Sequence, residues 1–153
     1  MPGTGWGTAV PVGPEDADTF ATAPQVGVDA TGNALAIWVR VDDDGSTLWA
    51  ARYLVGAGWG ASVLLGRASA RPPRLAVDAR GNAIAVWSEG SFTDQVWARR
   101  FVPGAGWIAP VPLAATRVDV DLPHVAIDGA GNAIAVWLQS LETAYQVEAR
   151  RFE

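Results

Sequence analysis

The chain has 153 residues, half of them hydrophobic and 18% charged, which argues against disorder and suits one domain with a real core. A net charge of −5 gives nucleic-acid binding no electrostatic support, and no run of about 18 apolar residues suggests a membrane span. Cysteine is absent, so no disulfide staples the fold, and all 11 basic residues are arginine.

In chain order, the opening MPGTGWGTAV has neither the basic nor the apolar stretch of a secretion signal, so none is expected there; the cell compartment stays open. GWGTAVPVG (5–13) reads as a lone outer strand. QVGVD (25–29) reads as a first strand closed by a tight turn. NALAIWVR (33–40) is the second strand, TLWAARYLV (47–55) the third, and WGASVLL (59–65) the fourth after a Gly-Ala-Gly turn. These runs are rich in β-branched and aromatic residues and bounded by Gly, Pro and Asp. No segment carries a capped helical period.

The set then repeats. DATGNALAIW, DARGNAIAVW and DGAGNAIAVW place Asn33, Asn82 and Asn132 about 50 residues apart. In the same register recur Gly-x-Gly-Trp, ending at Trp6, Trp59 and Trp107, and a proline at Pro24, Pro73 and Pro123. An arginine–aromatic pair also recurs (Arg52-Tyr53, Arg100-Phe101, Arg151-Phe152). Repeat cores therefore span about 24–65, 73–113 and 123–153. The second strand is apolar on both faces, so both must be covered. A four-stranded antiparallel sheet buried on both sides and repeated at this period suits a β-propeller blade. Gly27, Ala76 and Ala126 supply small residues for crowding near an axis.

The expected fold is all-β, a β-propeller with three four-stranded blades per chain. Residues 5–13 lead and 146–153 end on a third strand, so the N-terminal strand is expected to complete a blade as a Velcro closure. Three blades cannot close a ring. A six-bladed homodimer is therefore expected, with a nine-bladed homotrimer as the alternative. An engineered or natural fragment of a longer protein would have the same pattern.

The repeats resemble the V-D-x-x-G-N-x-x-V core of NHL-type propellers. They are more similar still to the P-Q-V-A-V-D-x-x-G-N-A-x-A-V-W … G-x-G-W repeats of bacterial propeller proteins. The half-ring form resembles small propeller lectins in architecture alone. The resemblance implies a fold and no single activity.

Function is expected where the copies differ. Turns inside the repeat hardly vary, whereas second-to-third and repeat-to-repeat connections vary in length and sequence. The variable connections hold Glu15, Asp16, Asp18, Asp42, Asp43, Asp44, Glu89, Asp94, Asp119, Asp121 and Glu142, an acidic face suited to a glycan or protein ligand. Candidate ligand contacts are Gln25, Arg74 and His124, which follow the aligned prolines, and the aromatic sets Trp38, Trp87, Trp137 and Trp49, Trp97. For the tryptophans, core packing between blades is the first reading and sugar stacking the second. Asp29, Gly32, Asn33, Asp78, Gly81, Asn82, Asp128, Gly131 and Asn132 read as a structural turn, with carboxylates capping backbone N–H groups and glycines at positive φ.

Catalysis has little support: a Ser-His-Asp triad would have to pass through His124, the single histidine. A carboxylate-pair glycosidase is the weaker alternative. DDDGS (42–46) lacks the alternating ligands of a calcium loop, so no metal and no cofactor is expected. The first reading is a non-catalytic binding scaffold that self-assembles. The alternative is a lectin with tryptophan sites between blades.

Overall fold

The computed structural model describes residues 5–13, 19–69, 71–90, 95–114, 119–141 and 143–153. The described chain is all-β, arranged in three antiparallel sheets. The first sheet holds β1 (Phe20–Val28), β2 (Ala34–Asp42), β3 (Gly45–Leu54), β4 (Gly58–Trp59) and β5 (Val63–Arg67), with both short strands on β3. The second holds β6 (Arg74–Val77), β7 (Ala83–Glu89), β8 (Gln95–Val102), β9 (Gly106–Trp107) and β10 (Val111–Pro112). The third holds β11 (Val120–Ile127), β12 (Ala133–Ser140) and β13 (Tyr145–Phe152), in the order β11-β12-β13.

Three features differ from the sequence expectation. The first strand runs longer, because β1 and β11 continue across a register shift between Thr22 and Gln25 and between Asp121 and His124. The fourth strand is broken in two. In the second sheet its latter half shrinks to Val111–Pro112, flanked and ended by Pro110 and Pro112, which have no N–H for the ladder. Residues 5–13 belong to no sheet.

The second sheet packs between the other two, and each junction has the same chemistry. On β2, Leu35, Ile37 and Val39 are buried; Ile37 and Val39 pack with Ala85 and Trp87 of β7. On β7, Ile84 and Val86 pack with Ala133, Ala135 and Trp137 of β12. Large aliphatics of one sheet thus meet the alanines and tryptophan of the next, so the layers interdigitate. The 3.3–3.4 Å pleat makes this possible, since alternate residues serve opposite neighbours. From Ala83 through Ser88, β7 is buried on both faces. The flanking sheets are bare outside: Val26, Val28, Ile134 and Val147 are exposed.

Close approach explains one glycine. A Cβ on Gly27 would stand 2.3 Å from Val77 Cγ2, so β1 and β6 touch where no side chain fits. The end of the first sheet's fourth strand lies on the tryptophan of the following sheet, since a Cβ on Gly66 would be 3.2 Å from Trp87 Cζ2; likewise one on Gly13 would be 3.0 Å from Trp38 Cζ2. Gly13 ends the unpaired segment 5–13. The segment therefore meets the first sheet at its Gly13 end, while residues 5–11 are exposed.

Arginines also tie sheet to sheet. Arg99 of β8 donates from Nε to the Ile108 carbonyl (2.7 Å) and from Nη1 to those of Leu64 (3.3 Å) and Leu65 (2.9 Å) in the preceding sheet. Arg150 of β13 donates from Nη1 to the Pro112 (3.0 Å) and Leu113 (3.2 Å) carbonyls. The aligned residue of β3 is Ala51.

Candidate binding face

The repeated motif folds into three near-identical brackets. Asp29 Oδ1 accepts from the Thr31 (2.8 Å) and Asn33 (3.0 Å) backbone N–H groups, and Oδ2 accepts from Asn33 Nδ2 (3.0 Å). Asp78 does the same with Arg80 (2.8 Å), Asn82 (2.9 Å) and Asn82 Nδ2 (2.8 Å). Asp128 repeats it with Ala130 (2.8 Å), Asn132 (2.9 Å) and Asn132 Nδ2 (2.9 Å). Gly32, Gly81 and Gly131 follow at φ +87°, +84° and +90°, where a side chain would strain the turn. Asn33, Asn82 and Asn132 thus act with the carboxylates, a role the Asx-turn pattern alone does not assign.

The brackets carry a pH signature. Hydrogen bonds from the Thr31 and Asn33 side chains hold the Asp29 carboxyl at about 2, well under its usual value, and the Asn132 side chain lowers Asp128 in the same way. A carboxyl depressed in the folded state stabilises it fully above the unfolded pKa of about 4 and loses that contribution as pH falls toward 2. The melting temperature of the wild type is therefore expected to fall between pH 4 and pH 2, and that of Asp29→Asn to fall less steeply over the same interval. Identical slopes in both proteins would refute the assignment.

The variable connections lie at the opposite ends of the strands. Asp42 Oδ1 accepts from the Asp44 N–H (3.0 Å) and pairs through its backbone with Gly45, so DDDGS is a two-residue hairpin turn. Among the described residues no group of three His, Cys, Asp or Glu side chains could hold a metal ion. Repeat-to-repeat connections fold back on these strand ends. Ser69 N–H donates to the Ser88 carbonyl (2.7 Å), and its hydroxyl shares a 2.9 Å hydrogen bond with that of Ser88. Arg71 crosses from the second sheet to the third, pairing with Asp121 Oδ1 at 2.9 Å and donating to the Val120 carbonyl at 3.2 Å. Of the acids expected here, Glu15, Asp16, Asp18, Asp94 and Glu142 lie outside the described residues.

Gln25, Arg74 and His124 occupy one level of three adjoining first strands, opposite Ile37, Val86 and Val136 respectively. Gln25 and Arg74 turn back to the proline carbonyls before them, Nε2 to Pro24 (3.0 Å) and Nη1 to Pro73 (3.1 Å), while His124 is exposed. Just ahead of this level, Ala23 and Leu122 hold φ of 51° and 50° at the two register shifts. Such a conformation costs a non-glycine residue about 1–3 kcal/mol and marks backbone held in place by its surroundings. Pro72 stands at the aligned position of the second repeat, where its ring forbids it. Nothing in the residue pattern announces this strain.

The tryptophans divide. Trp38 lies opposite Trp49, Trp87 opposite Trp97, and Trp137 opposite Glu148, so the expected pairs are cross-strand neighbours within one sheet. Trp87 and Trp137 are buried at 2% and 5% exposure and offer no ring face to a sugar. Trp38, Trp49 and Trp97 are half-buried, and the Arg40 guanidinium sits 5.0 Å from the Trp49 ring centroid. Compared with known proteins, the chain matches no family model, and no curated protein matches it significantly.

Proposed function

We propose that the chain is a non-catalytic β-propeller module of the NHL-like kind, a half-ring that closes by self-association and binds a partner through its variable loop face. The observation that carries this reading is the shared packing rule. Three sheets stack in chain order, the first and second each offering the Leu/Ile/Val side of its second strand to the Ala/Ala/Trp side of the next. Such a rule has no natural stop within three sheets, and the outer faces it leaves bare are apolar. Two chains stacked by the same rule would cover both faces around a twofold axis.

A binding role follows from where variation and strain fall. The brackets spend their carboxylates on backbone N–H groups, whereas Gln25, Arg74, His124, the strained Ala23 and Leu122 and the Arg71–Asp121 pair gather toward the other end of the strands. A glycan-binding reading rests on the half-buried Trp38, Trp49 and Trp97 beside the same loops. Light scattering is expected to return twice the chain mass at micromolar concentration, and a stable monomer there would sink the half-ring. On a glycan array, a calcium-independent signal lost in Trp97→Ala would make the ligand a sugar; silence would leave a protein partner.

A further inference from the structure

Two side chains in this molecule lack a contact that their counterparts make twice. Tyr53 of β3 meets Trp59 edge-to-face, with ring centroids 5.5 Å apart and planes at 64°. Phe101 of β8 meets Trp107 at 5.4 Å and 63°. The third aromatic at this position, Phe152 of β13, is 41% exposed, and the remaining Gly-x-Gly-Trp tryptophan, Trp6, is fully exposed. The backbone agrees. The residue after each paired tryptophan donates to a third-strand carbonyl, Gly60 to Arg52 and Ile108 to Arg100, both at 2.8 Å.

The space beside Phe152 is open as well. A cavity of about 270 Å³ lies between the second and third sheets, walled by Ile84, Ala133, Val125 and Phe152 and flanked by Arg100 and Arg151. The corresponding position between the first and second sheets is filled: Leu35, Ala83 and Phe101 form a buried cluster, with Leu75 and Trp107 packed on it. Trp107 belongs to the fourth strand of its sheet. The third sheet has no such strand among the described residues, and its cavity stands where that indole would be.

We infer that the open edge of β13 and this cavity receive residues 5–13 of a second copy of this chain, with Trp6 seated against Phe152. This rests on the half-ring reading and names the segment and register that close it. The segment is directed away from its own β13, because it starts from Gly13, anchored on Trp38 of the first sheet, with the second sheet between that point and β13. The register follows from the two complete repeats. Tyr53 opposes Trp59 and Ala50 opposes Val63; Phe101 opposes Trp107 and Ala98 opposes Val111. The same spacing sets Phe152 opposite Trp6 and Ala149 opposite Val10. The exchange is reciprocal, so one interface is used twice and the assembly closes.

The absence of cysteine makes the test clean. In Val10→Cys/Ala149→Cys the two thiols face each other across a ladder at a separation a disulfide spans. Mild oxidation is expected to convert the protein to covalent dimers on a denaturing gel, while Val10→Cys/Tyr145→Cys, displaced by four residues, stays single. Trp6→Ala, altered at a fully exposed residue, is expected to keep its folded spectrum and associate at least about 100-fold more weakly, since each dimer loses two indoles. A covalent trimer would keep the segment and register and change only the ring size. Wild-type dimers by mass, without cross-linking at 10/149, would overturn the inference and leave the half-ring reading standing. A monomer by mass, or thiols consumed within single chains, would overturn it outright.

Discussion

Trp87→Ala is expected to lower the unfolding free energy by about 3–5 kcal/mol, the largest single loss in the molecule. Its indole is 2% exposed and packs with Ile37, Val39, Leu48, Ala50 and Leu65 across the junction of the first two sheets. Its Nε1 donates to the Arg67 carbonyl at 2.8 Å, which the truncation leaves unpaired. Two losses therefore add: an interior void that the surrounding strands cannot collapse into, and a stranded acceptor. Small domains have only about 5–15 kcal/mol to lose, so the variant stands near its unfolding threshold at 37 °C. Guanidinium titration monitored by far-UV circular dichroism measures the loss. Trp87→Phe, which keeps most of the volume, should recover more than half of it. A midpoint equal to wild type would place this ring outside the core.

Asp78→Ala is expected to cost about 3 kcal/mol, and the matching change at Asp128 distinctly less. The two brackets have the same hydrogen bonds and differ in their surroundings. Asp78 is 4% exposed, so removing its carboxylate abandons the Arg80 and Asn82 N–H groups and Asn82 Nδ2 with little water to replace it. Each stranded buried donor costs about 1–3 kcal/mol, partly relieved by relaxation of the turn. Asp128 lies at an exposed turn, where water takes over the same donors. Thermal unfolding of the two variants side by side reads the difference. Equal losses would mean that the bracket's worth is local to its turn and independent of the sheet beside it.

That contrast shows what a repeat discloses and what it hides. The strands, the turn chemistry of Asp29, Asp78 and Asp128, and the glycines at positive φ are legible because each is a local rule written three times. Position in the stack is not local. Identical motifs become buried at Asp78 and exposed at Asp128 because one sheet has two neighbours and the other has one. The broken fourth strand is partly readable, through Pro110 and Pro112. The strained Ala23 and Leu122 are not, since they answer to pairing beyond the proline rather than to their own side chains. The candidate face was legible as a location, by its variable loops. Its chemistry was not, because Gln25, Arg74 and His124 share a level only once three strands have been brought side by side.

One residue would give the proposed ring a parting line. Arg99 and Arg150 rivet the second and third sheets to the fourth-strand carbonyls of the sheet before. At the same station on β3 stands Ala51, whose methyl group can hold nothing on residues 5–13. In the ring we propose, cohesion would be graded: the two joints within a chain carry an arginine clasp, and the joint between chains would rest on the β13 ladder and apolar contact without one. Heat or dilution should part that joint first and release three-sheet units intact. In the ring we propose, reversibility is the property of a single unarmed position.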